Sequence, residues 1–447
     1  MLTDSLGNPV TLQDASSLGA VNDFVEGFIA CEARAVNVLR VAAADGSVIV
    51  QASCAALHMF AESREAPANA RPYLNRALAA SEQSSGTTPR ERRFVASIAA
   101  WVEGDVIRAA QLHEEQAREY PRDLVSVKLG QYHRFNLGDA PGMLRLALAA
   151  LPKTGDVAYV HGMAAFAWEQ CHLLDEAEAA ARKGIQICRK EPWAHHALAH
   201  VMLTTGRITE GQSFMNDVSD TWTGLNSFMV THNWWHQALF GLELGQHDAV
   251  LHLYDERVWG VAKDYSQDQV NAISLLSRLE LCGVDVGRRW QDVADYLLLR
   301  VDDHVQPFLD LHYLYALARA GRVQAHALMR SLCAFAEDRA QASPVWAEVC
   351  VPAARGLLAH VNGDFAAAGT ALATALPRLA EIGGSHAQRD WFEQLYLDAL
   401  VRSHQWSAAQ QIVQQRLRGQ PQSTRLKRQG EAIYAALGLP ASIAALR

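Results

Sequence analysis

The chain has 447 residues, 50% hydrophobic and 20% charged, and its 40 basic and 48 acidic side chains give a formal charge of −8. That composition excludes collagen, mucin and bulk disorder, and an acidic balance without a run of Lys or Arg makes nucleic acid an unexpected partner. The longest uncharged stretch, Gly46 to Ala61, has 16 residues and contains Ser47, Gln51, Ser53 and His58, too short and too polar to cross a bilayer.

In chain order, MLTDSLGNPV lacks the basic and apolar regions of a secretory signal, so a cytoplasmic protein is expected. Residues 1–90 are expected to form an N-terminal helical segment of degenerate repeats. Within it, Ser47 to Gln51 is taken as the start of a helix reaching Glu62 in preference to a short strand, and Gln83 to Pro89, rich in Ser, Thr and Gly, as an exposed loop. Seven cysteines without a CxxC spacing suggest reduced thiols; Cys31, beside Glu32, and Cys54, near His58, are weak nucleophile candidates more simply explained by burial.

From residue 91 a period emerges. Short Gly-polar turns recur at Gly104-Asp105, Gly138-Asp139, Gly206-Arg207, Gly245-Gln246, Gly321-Arg322 and Gly363-Asp364. The first step, 104 to 138, is 34 residues; the second, 138 to 206, is 68, two such units with His172-Leu173-Leu174 at the middle turn. This is the tetratricopeptide period. Later steps of 39, 76 and 42 residues, with Cys282-Gly283 halfway through the second, are longer and less regular. Small or aromatic residues keep fixed offsets: Ala165, Trp168, Ala177 and Gly184 are matched by Gly356, Ala359, Ala368 and Ala375, while Ser97, Ala100 and Ala109 share the frame and Pro121 closes its second helix. An amphipathic helix pair cannot bury its apolar side alone, so neighbours must stack. The expected fold is all-α, an α-solenoid of tetratricopeptide-like hairpins over residues 91–447, continuous with the N-terminal segment.

Eighteen His and 11 Trp are unevenly spread and concentrate between residues 191 and 236. After Glu191, Pro192 opens a helix that places His196 and His200 one turn apart, and the next first helix repeats the pattern with His232 and His236. First helices of such repeats line the concave surface, so the four imidazoles are expected to share a pocket there, their nitrogens within about 10 Å as helix spacing allows. Glu169, Asp310, His312 and His133 are further first-helix polar candidates, with Trp193, Trp234 and Trp235 as walls. Gly383 to Asp390, containing His386 and Arg389, leads into a helix as a candidate anion site.

These residues resemble the tetratricopeptide repeat protein 38 family. The resemblance runs through Gly162 to Phe166 with Glu169, Trp193 to Val201 with Gly206-Arg207, and His232 to His236 with Leu253 to Asp255. It continues through Ser274 to Glu280, Asp310 to His312 and Gly383 to Asp390, about half the chain between residues 160 and 395. The HNWWH and GGSHAQRD runs carry most of it. Asn271 and Ser277 depart from it, where the family has an acid and a Trp. The resemblance implies a cytoplasmic helical repeat protein and no settled reaction.

Imidazoles titrate near neutrality, so general acid–base chemistry on a small molecule is the expected use of His196, His200, His232 and His236: hydrolysis, elimination or isomerisation, with Glu169 or Arg389 orienting a polar group. The HExxH glutamate is absent, since Ala197 and Asn233 follow His196 and His232. No cofactor is required, although a divalent metal on the same four histidines is the lesser possibility. No phosphate loop, GxSxG elbow or kinase motif occurs. The alternative is a scaffold binding a peptide or protein on its concave face. A small-molecule ligand and a protein partner are thus both entertained, and nucleic acid and membrane are not.

Overall fold

The computed structural model describes residues 2–83, 86–338 and 342–439. Most of them are helical, and the expected tetratricopeptide-like helix hairpins are present. The chain divides into two compact units, one of Met1–Leu198 with Val218–Val230 and one of Ala199–Asp217 with Thr231–Arg447. Residue 90 lies within the first.

The first unit opens with a two-residue antiparallel pairing that the sequence did not announce, β1 (Leu2–Thr3) against β2 (Pro9–Val10). Then come α1 (Leu18–Ala30), α2 (Val48–Met59), α3 (Ala66–Gln83) and the hairpins α4/α5 (Pro89–Val102, Val106–Glu119), α6/α7 (Leu124–Asn136, Ala140–Thr154) and α8/α9 (Ala158–Gln170, Leu174–Ile187). Residues 48–51 are helical, as expected, but the helix stops at Met59, and Glu62 has a left-handed φ of 48°. Part of the expected loop, residues 84 and 85, lies outside the described residues; its end is organised by Thr88, whose side chain forms a reciprocal capping box with Glu91.

The Gly-Asp turns work by a division of labour. Glycine takes the left-handed conformation that ends one helix, φ 71° at Gly138, and the following aspartate caps the next: Asp139 Oδ1 accepts from Gly142 N at 2.8 Å. Asp105 and Asp364 do the same for their helices. His172 holds the corresponding turn at φ 58° without being glycine. Close packing explains the small residues: a Cβ on Gly130 would lie 2.9 Å from both His113 Cβ and a Leu146 methyl.

A core from Leu6 to Met163 joins the N-terminal helices to the hairpins. First helix α6 does not present a free face, because α1 packs on it: Lys128 Nζ donates to the carbonyls of Phe28 and Ile29, the C-terminal end of α1, at 3.0 Å each. Tyr132 on α6 donates to Glu62 at 2.9 Å, and Phe60 packs against both Tyr132 and Trp101.

Helices α10 (Pro192–Thr204), α11 (Ile208–Val218) and α12 (Ser227–Glu243) run unbroken through the points where the chain passes between units. The second unit continues with α13 (His247–Leu253), α14 (Ser266–Leu281), α15 (Arg289–Asp295), α16 (Pro307–Arg319), α17 (Gln324–Glu337), α18 (Val351–Val361), α19 (Phe365–Ala375), α20 (His386–Arg402), α21 (Trp406–Gly419) and α22 (Thr424–Ala436). A π-helical turn, Tyr254–Val258, extends the hairpin begun by α13, one source of the longer repeat spacing there.

Within this unit α20 lies against α14. Arg278 Nη2 donates to Ala387 O at 2.7 Å and Trp391 Nε1 to Ser277 Oγ at 2.7 Å. The last hairpin returns to the unit's beginning: Gln420 Nε2 donates to Leu203 O at 3.2 Å, and Arg425 grips Glu243 with two nitrogens at 2.7 and 3.1 Å. The second unit is therefore closed on itself.

Candidate functional site

The histidine spacing is realised on two helices. His200 on α10 and His232 and His236 on α12 belong to the second unit, and one nitrogen from each falls in a group whose members all lie within 4.8 Å of one another. Ring centroids are 4.5 Å apart for His200 and His236 and 4.8 Å for His232 and His236. His196 precedes His200 by one turn of the same unbroken helix. The approach is closer than the sequence estimate of about 10 Å.

Aromatic walls hold these rings. His232 stacks on Trp235 at 5.2 Å with planes 12° apart, and His236 meets the same indole edge-on at 4.9 Å. Trp235 is itself anchored by donation from Nε1 to Ser274 Oγ at 3.1 Å. His196 stacks on Trp193 at 4.6 Å and touches Phe166. Trp193 and Trp235, two of the expected wall residues, each pack against a histidine of their own helix. Trp234 is half-buried, and Arg257 lies over its ring.

Burial sets the chemistry. The four imidazoles are 0–2% exposed. Desolvation drives His232 down to about 3, despite the hydrogen bond from Asn271 that opposes it. At neutral pH this ring is neutral and has no proton to pass on as an acid, which works against the expected acid–base role. Its tautomer is defined: Asn271 Oδ1 accepts from His232 Nδ1 at 2.8 Å, so the lone pair sits on Nε2. Asn271 also donates to Thr231 Oγ1 at 3.4 Å, and Thr231 donates to Asp268 at 3.0 Å. The departure at Asn271 is therefore a working partner of the cluster.

Other expected site residues have different duties. Glu169, in the first unit, is fully buried and accepts from Gln170 Nε2. His133 is also in the first unit and stacks on His113 at 5.6 Å, inside the hydrophobic core. His312 donates Nδ1–H to Phe308 O at 2.7 Å and packs 4.5 Å from Trp391; burial pushes it down to about 3, which marks a packing residue. The expected anion site at the start of α20 has a structural use. Ser385 and Gln388 form a capping box, and Arg389 donates to Gly384 O and lies 3.3 Å from His386 Nδ1.

Asp310 joins an arrangement invisible in the sequence. Its Oδ2 is 2.6 Å from His304 Nδ1, and His304 Nε2 is 2.8 Å from Ser331 Oγ. The residue types match a hydrolytic triad, but Ser331 donates its single hydroxyl proton to Asp302 at 2.6 Å. His304 must then donate to Ser331, and cannot activate it as a base. Burial raises Asp310 to about 6, although its hydrogen bond with His304 opposes the rise.

Arg278 was likewise unforeseen as a site element, although it falls inside an apolar helix run where a cation is a signal. It is 2% exposed, lies 5.4 Å from the Trp235 ring, donates to Ser274 and Ala387, and approaches Asp390 at 4.0 Å. Burial lowers it to about 10. Two of the thiols are not activated: burial pushes Cys54 up to about 12 and Cys350 well above its ordinary value, while Lys128 Nζ donates to Cys31 Sγ at 2.9 Å.

No family model matches the chain. Among solved structures it is similar to human IFIT1, described as a dimer with m7Gppp-AAAA, at 11% identity and a TM-score of 0.39, covering 98% of this chain and 90% of that one. A second structure of human IFIT1, as a dimer with PPP-AAAA, matches at 11% identity and a TM-score of 0.41, covering 98% and 94%. Likeness at that level settles nothing about a ligand. The class follows from the helices themselves: a tetratricopeptide-like helical repeat protein, in which no described helix is long and apolar enough to cross a membrane.

Proposed function

We propose that the chain is a repeat scaffold that binds a protein partner, and that it does not catalyse acid–base chemistry at its histidines. The observation carrying this reading is an exposed apolar patch on the second unit. Leu299 is 91% exposed, Val323 77%, Val261 58% and Tyr296 42%. Contacts join the segments that carry them. Lys263 lies over both Trp259 and Tyr296, and Arg322 pairs with Asp295 beside Tyr296. The Lys263–Asp292 pair at 2.8 Å adds a second charged margin. Apolar centres with polar rims are what protein interfaces use, and each large aliphatic side chain left in water forgoes about 1.5–3 kcal/mol of burial.

The burial of the imidazoles and the raised thiols of Cys54 and Cys350 support the same side of the choice. The contact surface is placed on this patch because α6 and α14 are covered by α1 and α20 of the chain itself. The HNWWH and GGSHAQRD runs support kinship with the tetratricopeptide repeat protein 38 family, and seven free cysteines support a reducing compartment such as the cytoplasm.

Leu299→Asp and Val323→Asp test the proposal. Both sites are exposed, so stability should change by no more than about 0.5 kcal/mol. A partner crosslinked to wild type in its own cells, then purified, should bind each variant at least about tenfold more weakly, a loss of about 1.4 kcal/mol. Wild-type affinity in both variants would overturn the reading, as would turnover in a metabolite screen that His232→Ala abolishes.

A further inference from the structure

The cluster of imidazoles has the make-up of a ligand set. We propose that His200, His232 and His236 bind one divalent transition-metal ion of the zinc class.

The donors are all ring nitrogens, which suit Zn2+, Co2+, Ni2+ or Cu2+; Ca2+ and Mg2+ require oxygen ligands that this group does not contain. The i, i+4 spacing on α12 places His232 and His236 on one helix face and α10 adds His200, so two helices supply the set. In a tetrahedral site with metal–nitrogen bonds of about 2.0–2.1 Å, the donors stand about 3.3 Å apart. The nitrogens already lie within 4.8 Å of one another.

The surroundings prepare the ligands. Metal-binding histidines usually give the second ring N–H to an acceptor that fixes tautomer and orientation. Asn271 does this for His232, and Thr231 and Asp268 continue the network to a carboxylate that offsets positive charge. Trp235 restrains His232 and His236 from a third side. Three imidazoles on two helices of the second unit describe an ion that ties α10 to α12. The inference is independent of the protein partner proposed above, since the imidazoles and the exposed patch share no residue.

Metal content decides it. Untagged full-length protein purified without chelator should carry about one equivalent of transition metal by elemental analysis. After chelator treatment, added Co2+ should produce the visible absorption of a tetrahedral site and raise the melting temperature, a readout that needs no variant. His232→Gln and His236→Gln should each abolish the cobalt band while circular dichroism stays helical. Asn271→Ala should retain binding but weaken it by about 10–100-fold. Wild-type protein that is fully helical yet takes up neither Zn2+ nor Co2+ would overturn the proposal, as would a cobalt band unchanged in both histidine variants.

Discussion

Glu191 illustrates how one side chain can couple helix initiation to packing. Its carboxyl accepts from Ala194 N at the start of α10, and a Cβ on Gly162 would stand 2.5 Å from its Oε2. Burial raises this acid to about 8, so at neutral pH it is mostly protonated in the folded protein. A neutral amide can replace a protonated acid as the acceptor. Glu191→Gln should therefore fold at pH 7 with little loss, whereas Gly162→Ala should cost about 1–3 kcal/mol in urea unfolding through overpacking. A glycine replacement without cost would show that the carboxyl is free to retreat. Gly162 stood out in the sequence only as part of the family resemblance, and the buried acid opposite it was not foreseen, because 29 residues separate them in the chain (191 minus 162).

For the elements, local chemistry accounts for most of what could be foreseen. A helix ends where glycine accepts a positive φ, and the next begins where aspartate caps it, so the Gly-Asp turns identify boundaries from two adjacent residues. Asp364 is the simplest test, being exposed and accepting from Ala367 N at 3.1 Å. Asp364→Ala should lower stability by about 1 kcal/mol and Asp364→Asn by much less, seen as a shift in the urea midpoint at constant slope. Equal midpoints for all three proteins would deny the cap any weight. The paired histidines were legible for the same local reason, i, i+4 spacing on successive first helices. Their sealing was not, and neither was the use of Arg389 to satisfy Gly384 O.

Across the molecule, the buried titratable groups set opposing limits on stability with pH. His113, His232 and His312 are depressed to about 3 and His195 to about 4, so the unfolded chain binds their protons first. Their contribution is complete above about 6.5 and is lost as pH falls toward 3. Glu191, raised to about 8, acts in the other direction: its stabilisation is complete below about 4.5 and is lost as pH rises through 8, a few kcal/mol by order of magnitude. Asp310, at about 6, loses its smaller share between about 4 and 6. Four histidines outweigh two acids on the acidic side, so thermal unfolding should show maximal stability between about pH 6.5 and 7. Glu191→Gln should flatten the alkaline decline while leaving the acid limb unchanged. A wild-type maximum below pH 5 would contradict this assignment.

Periodicity, turn chemistry and helix class were written in the chain, because each depends on neighbours within one or two helical turns. Whether a histidine is a solvated catalyst or a dry ligand depends instead on how much water its surroundings exclude. That exclusion comes from contacts distant in the chain: Asn271 meeting His232, α20 crossing to Arg278, and the final hairpin returning to Glu243. Residue identity reports a side chain's chemistry, whereas its protonation and accessibility arise only when segments hundreds of residues apart are packed together.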